Sequence, residues 1–413
     1  MHLHIAALYG ISPAVLLLKF GENVFITFFY TERGFILFLQ KLKSHLRDIW
    51  SEEFTDPFLL RWLRARDFDV NKSEKLLRDN NIWRQREKID SLIETYENPE
   101  VLRLYFPGGL CNHDREGRPL WLLRFGNADF KGILQCVSTE ALVKHVTYIV
   151  ENIIADMKAQ SKKLGKVVDT STVVFDYDNF SIRQVYSYQV VEFIRLLMVL
   201  YENYYPEMLE QCFIINVPSF FQIFWKLVRP FLTERTAGKI QIFSREGWQP
   251  VLLKCVDPSQ LPAHWGGDLV GPNGDRECTH LVPAGGEVPV KYYLKNGPRV
   301  SEDPNATTCS LERGQKMDVP VKVDSKGSTL CWKFQTSPGH DVGFGVLHIA
   351  GEHVKPKEIL EVGKVKCDQV AETGRLSAEP GTYIFRFDNS NSWFTKKELS
   401  YVLQVKSSEE VLP

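Results

Sequence analysis

One change of hydrophobic period divides this chain and limits what it can fold into. Between residues 119 and 243, short apolar runs alternate with long amphipathic stretches. The runs Pro119–Phe125, Val173–Asp176, Gln211–Val217 and Ile240–Phe243 read as strands. Between them, residues 138–164 place Leu142, Val146, Ile149, Val150, Ile153 and Met157 on one helical face, and residues 185–204 return to helix. Strands alternating with helices predict an α/β domain with a mainly parallel sheet, here spanning 101–269. Past residue 287 the period becomes two. Val319/Val321/Val323, Val342/Phe344/Val346, Tyr383/Phe385/Phe387 and Leu399/Tyr401/Leu403/Val405 alternate between Gly, Pro, Asn and Ser clusters. This predicts an antiparallel β-sandwich over 288–407, with Trp332, Phe344, Phe387 and Trp393 in its core. Residues 270–287, rich in Gly and Pro, read as a linker, and 408–413 as a tail.

Ahead of the α/β domain, residues 49–98 predict a small helical module. In TDPFLLRWLRAR (55–66), Asp56 can cap a helix, Pro57 suits its first turn, and Phe58, Leu59, Trp62 and Leu63 share a face. Asn71 with Glu74 three residues later predicts a capping box for a second helix through about Arg86. Residues 1–48 form an atypical apolar extension. Met1–Leu18 contains no Lys, Arg, Asp or Glu, so it lacks the basic start of a signal peptide. Val24–Tyr30 and Gly34–Leu39 fall well short of the roughly 20 apolar residues of a membrane span.

Composition excludes several classes. Lys and Arg total 50 against 51 Asp and Glu, a balance that does not suit a nucleic-acid partner. The 8 cysteines contain no CxxC pair, which fits a reducing cytoplasm better than a disulfide scaffold. Nucleophile elbow, HExxH, P-loop and GxGxxG signatures are all missing, and the 10 histidines are dispersed. His113-Asp114 and Asp176/Asp178 fit turn and strand-end roles better than acid–base work. The expectation is a non-enzyme with no metal and no cofactor other than a bound hydrophobic molecule.

The segment Pro218–Phe231, PSFFQIFWKLVRPF, is the exception among the helices. Pro218 and Pro230 suit its start and stop, and Ser219, Gln222, Lys226 and Arg229 form one narrow polar stripe. The remaining surface is apolar: Phe220, Phe221, Ile223, Phe224, Trp225, Leu227 and Val228. Such a helix is either a core element or a movable wall over a lipid site.

Longer stretches carry a resemblance. FLLRWLRARDFDVNKSEKLLRDN (58–80) resembles the helical module that precedes a CRAL-TRIO lipid-binding domain. Tyr204-Tyr205-Pro206-Glu207, IINVPSFFQIFWKLVRPFL (214–232), TAGKIQIF (236–243) and LPAHWGGDL (261–269) follow that family's order. DVGFGV (341–346) and GTYIFRFDNSNSW (381–393) resemble a GOLD (Golgi dynamics) domain of jelly-roll type. The layout is that of the animal supernatant protein factors and tocopherol-associated proteins, shared in part by the yeast phosphatidylinositol transfer protein.

The resemblance implies a pocket floored by the sheet and closed by a gate helix, with lipid exchanged at a membrane. Gate and pocket would be formed by Phe220, Phe221, Phe224, Trp225, Leu227, Val228 and Phe231. It further implies that Arg66, Glu207, Thr236 and Lys239 hold a phosphatidylinositol head-group. Of the relatives' Ser/Thr pair for a choline lipid, Ser171 remains and Val173 stands at the threonine position. That substitution favours a tail-like ligand such as a tocopherol, squalene or retinoid. The implied setting is the cytoplasm with transient contact to a membrane surface, the Golgi included. A lipid-sensing adaptor, docking a protein partner through the GOLD-like domain without bulk transfer, is the alternative.

Overall fold

The computed structural model describes residues 32–294, 299–351, 354–368, 370–390 and 395–406. Residues 1–31 of the N-terminal extension, Trp393 and the tail lie outside them.

Three helices open the described chain: α1 (Glu32–His45), α2 (Asp56–Arg64) and α3 (Val70–Glu87). Their caps sit one and two residues earlier than expected. Thr55 Oγ1 accepts from the Phe58 amide, and Asp69 Oδ1 accepts from the Lys72 amide at 3.1 Å. Asp67 and Phe68 adopt positive φ, turning the chain so that Asp69 rather than Asn71 precedes the second helix. The module also begins well before residue 49. Leu39 and Leu42 of α1, and Leu46 just past its end, are buried against Leu59, Trp62, Leu63 and Leu77, because they recur every three to four residues on one face. His45 Nδ1 meets Glu74 at 2.7 Å, and Arg78 bridges Glu74 and Asp48, fastening α1 to α3.

The α/β domain is a five-stranded sheet in the order β1 (Gly109–His113), β2 (Pro119–Leu123), β3 (Ser171–Asp176), β4 (Leu209–Ile215), β5 (Ile240–Ile242). The first pair is an antiparallel hairpin; the other three pairings are parallel. Connections run through α4 (Thr139–Leu164), α5 (Tyr188–Tyr204) and α6 (Phe221–Val228). All three helices pack on the sheet face that presents Leu123, Phe175, Cys212 and Ile214. After a one-turn helix, α7 (Glu234–Gly238), and β5, helix α8 (Trp248–Cys255) covers the opposite face, against Leu120, Leu122, Val174, Phe213 and Ile215. The period-two alternation within each strand sends its side chains to two separate cores.

The expected linker is not free. Cys278 and Val282 are fully buried on the α8 face, and the Leu281 carbonyl lies so close to Gly109 that a Cβ there could not fit. Leu281 and Val282 bring apolar surface to that core, which outweighs the Gly- and Pro-rich local composition.

The C-terminal region holds two four-stranded antiparallel sheets. One is β10 (Lys357–Lys366), β9 (Asp341–Ile349), β12 (Gly381–Asp388), β7 (Lys316–Val323); the other is β11 (Glu372–Ala378), β8 (Ser328–Thr336), β13 (Lys397–Lys406), β6 (Thr307–Leu311). Trp332, Phe334, Phe344, Phe385 and Phe387 fill the space between them.

Candidate functional site

Helix α6 and its two tethers form the site. It starts at Phe221, because Pro218 to Phe220 make the turn off the sheet, and ends at Val228. Arg229–Phe231 continue as a single 3-10 turn around Pro230. The inward and outward faces are both apolar. Phe221 and Phe224 are 1% and 4% exposed, whereas Ile223, Leu227 and Phe231 are 41%, 39% and 39% exposed. Trp225, Phe220 and Val228 are partly buried at the rim. The polar stripe holds for Ser219, Gln222 and Lys226, which are exposed. Arg229 turns back to donate to the Leu232 carbonyl at 3.1 Å and pairs with Glu234 at 2.7 Å.

Beneath the helix the rings of Phe125, Tyr177, Phe180, Phe221 and Phe224 interlock. Phe125 stacks on Tyr177 at 4.6 Å; Phe180 meets Phe224 edge-on at 5.3 Å, and Tyr177 meets Phe221 edge-on at 5.0 Å. A cavity of about 10 Å³ remains among Val191, Ile194 and Arg195 of α5 and Phe224, Leu227, Val228 and Phe231. Ligand pockets measure roughly 300–1,000 Å³. Between α6 and the sheet, where a pocket was expected, the rings of Phe125, Tyr177, Phe221 and Phe224 meet one another. The physical reason is that Phe and Tyr rings close a gap between two apolar faces whenever the covering helix settles onto the sheet.

The first tether leaves β4. Asn216, at φ +57°, donates to Asp176 Oδ1 at 2.8 Å and accepts from Trp248 Nε1 at 3.2 Å. Asp176 also accepts from Trp265 Nε1 at 2.9 Å and from the Asp178 amide at 3.0 Å. Asp176 is thus a buried anchor, in keeping with the strand-end role. His113, the other acid–base candidate, pairs with Asp156 at 2.8 Å, and Asp114 caps its own turn through the Glu116 and Arg118 amides. Among the described residues no cluster of His, Cys, Asp or Glu could hold a metal ion.

The second tether is polar. Thr236 Oγ1 donates to Glu202 Oε1 at 2.7 Å, and Thr233 Oγ1 reaches the same oxygen at 3.4 Å. Lys239 Nζ donates to Glu207 Oε2 at 3.0 Å and to the Leu209 carbonyl at 2.7 Å. Arg235 lies 3.4 Å from Glu207 and 3.8 Å from Asp67. Glu207 itself is held at φ +58°. So Glu207, Thr236 and Lys239 lie in one polar group beyond the C-terminal end of α6. It is Asp67, not Arg66, that reaches this group, through Arg235; the Arg66 Nη1 donates instead to the Ala65 carbonyl at 2.8 Å.

Arg61 adds a further cation that the sequence did not single out. Burial pushes its guanidinium down from the ordinary value; Asp169 pulls it back up, Arg64 adds to the lowering and Glu207 opposes it. Its Nε is buried without a hydrogen-bond partner among the described residues. On the sheet, Ser171 is buried and its hydroxyl turns to the Met208 carbonyl at 3.4 Å. Val173, two positions along β3, faces the same side as Phe175.

Residues 105–267 match the family model of the CRAL/TRIO domain, and residues 38–79 match that of the CRAL/TRIO N-terminal domain. The middle of this chain is a CRAL/TRIO domain. A CRAL-TRIO domain-containing protein of Caenorhabditis elegans is 32% identical over 288 residues, which is 68% of this chain. The matched region is 39% of that relative's length, so this chain spans well under half of it. The crystal structure of Sfh5 is similar at a TM-score of 0.46 and 17% identity, covering 68% of this chain and 94% of that one. Sequence patterning missed Glu202, Asn216 and Arg235 of the CRAL/TRIO domain, and Arg61 of the preceding helical module, among the residues around α6. A charged or amide residue in an unremarkable helix or strand end carries no local signal; each gained its role from a partner distant in sequence. No helix among the described residues is long and apolar enough to cross a membrane.

Proposed function

We propose that this protein takes up a hydrophobic lipid behind α6 and exchanges it at membranes. The observation that carries the reading is the double-faced gate: buried phenyl rings inside, and Ile223, Leu227 and Phe231 presented to solvent outside. When α6 lifts, its outer face gains by entering a lipid surface. Phe221 and Phe224 gain by contacting a lipid tail, at roughly 25 cal/mol per Å² buried. The ring cluster then yields the space that the ligand fills.

Glu207, Thr236 and Lys239, with Arg66 and Arg61 nearby, supply a carboxylate, a hydroxyl and cations, which suits an inositol phosphate head-group. Their present bonds to Glu202 and Leu209, and to one another, would be exchanged for bonds to the head-group. The apolar Val173 beside Ser171 supports a tail-like ligand such as a tocopherol, squalene or retinoid. A cytoplasmic protein visiting membranes, the Golgi among them, fits this reading. The C-terminal sandwich, in the manner of a GOLD domain, would dock a protein partner.

Native mass spectrometry of the purified chain should find a bound lipid, and labelled lipid should move between liposomes when the protein is added. An empty protein together with no transfer would overturn the proposal. Replacing Glu207 and Lys239 with Ala should abolish phosphatidylinositol transfer while tocopherol or squalene binding survives.

A further inference from the structure

We infer that the C-terminal sandwich fixes the resting position of the gate by gripping residues 182–186. This rests on the gate reading above and names how that site is regulated.

The segment between β3 and α5 serves two masters within a few residues. Tyr177 and Phe180 support the gate, with ring contacts to Phe221 at 5.0 Å and Phe224 at 5.3 Å. Directly after them, Arg183 enters the sandwich. One guanidinium nitrogen, Nη2, donates to both the Phe344 and the Glu361 carbonyls at 2.8 Å. Those acceptors are offered by an irregularity: the pairing of β10 with β9 shifts register between Leu360 and Gly363, so the ladder opens there. Gly363 completes the slot, since a Cβ on it would lie 2.6 Å from Arg183 Nη2. Tyr186 follows. Its carbonyl accepts from the Arg375 amide at 3.0 Å, and its ring lies 6.4 Å from that of Trp332 in the sandwich core. Lys131 and Glu372 add an ion pair at 2.5 Å across the same junction. Past this grip, α5 carries Val191, Ile194 and Arg195 into contact with the gate's Phe224, Leu227 and Val228.

The gate therefore rests on two supports, Tyr177/Phe180 and the start of α5, and the sandwich holds the short piece that joins them. A charge-assisted hydrogen-bond pair at this half-buried junction is directional, so the joint cannot slide without breaking it. Any movement of the sandwich against the CRAL/TRIO domain is passed to both supports. Weakening the grip should free the gate even when no lipid is present.

Hydrogen exchange on the full chain, without lipid or vesicles, tests this. Arg183→Ala should speed exchange of the Phe221–Val228 amides on the order of tenfold, while β8 and β12 stay protected. Gly363→Ala, which displaces the guanidinium from the sandwich side, should do the same to a smaller extent. Should Arg183→Ala unfold the sandwich, Arg183→Lys, which keeps the charge but is too short to place its nitrogen between the two carbonyls, is read in its place. Faster exchange confined to 182–186, with the gate unchanged in these variants, overturns the inference. So does a loss of protection in the sandwich alone under Arg183→Lys. Because the readout needs no lipid, a failure here is distinct from a failure of the transfer assay.

Discussion

On the α8 face of the sheet, the buried indoles of Trp248 and Trp265 end in hydrogen bonds to Asn216 and Asp176. On the gate face, Phe125, Phe180, Phe221 and Phe224 meet ring to ring. Both cores are buried and both sit on the same five strands, yet they are held differently. A hydrogen bond from a buried indole fixes one geometry, because breaking it strands a polar group away from water. Ring contacts are individually weak and leave no polar group unpaired when they are broken, so one aromatic neighbour can be traded for another, or for a lipid chain. The difference separates a face pinned by hydrogen bonds from the face that the proposed uptake of lipid would require to open.

The largest effect should come from the fixed face. Trp265→Ala removes a fully buried indole and the donor to Asp176, and should cost about 4 kcal/mol in denaturant unfolding.

Acid should act through the gate-face helices. His145 on α4 is buried beside Phe106 and 3.1 Å from the Tyr96 hydroxyl, and burial pushes its pKa down to about 4 from 6.5. The unfolded chain then binds the proton more readily than the folded one. Stability should hold above pH 6.5 and decline by roughly 2–3 kcal/mol as pH falls from there to about 4. His145→Gln should flatten that part of the curve; an unchanged curve would remove His145 from the account.

A smaller loss is expected at the gate itself. Phe224→Ala deletes as much buried ring as many core truncations, but α6 can settle into the space, so about 1–2 kcal/mol is expected. Equal losses for Phe224→Ala and Trp265→Ala would break the contrast between the faces. The smallest stability effect belongs to the outside of α6. Ile223→Asp with Leu227→Asp should change unfolding by no more than about 0.5 kcal/mol. The same pair should cut sedimentation with neutral vesicles sharply, and unaltered vesicle binding would show that another surface meets the membrane.

Much of the architecture was legible because it is written in local periodicity. The 3.6-residue stripe of α4 predicted its 138–164 span to within a residue, and the alternation from Val319 onward placed the sandwich strands. The resemblance named Glu207, Thr236 and Lys239 together, and the fold sets them near one another beyond the end of α6, with their role left to the proposed function. The misplacements have a common cause. Asn71 and Asp56 are good capping residues beside better-positioned ones, and cap choice depends on where the preceding turn leaves the backbone. Residues 32–48 read as part of an apolar extension, since the continuous run Gly34–Leu39 masks the helical spacing of Leu39, Leu42 and Leu46, and 270–287 read as a linker, since its few apolar residues in a Gly-rich setting give no period. Leu42 and Val282 became core only through partners far along the chain.

The sequence by itself determined that an α/β unit precedes a β-sandwich, and that one helix is too apolar for an ordinary surface. Both follow from spacing, which acts over a few residues. Only the tertiary structure decided which of that helix's apolar side chains face inward, that aromatic rings close the space beneath it, and that Glu202 and Asn216 tether its ends. It alone decided that Arg183 reaches into a register shift of the sandwich. These depend on contacts between residues tens to more than a hundred positions apart, 161 and 178 in the case of Arg183, and no local pattern encodes such distances.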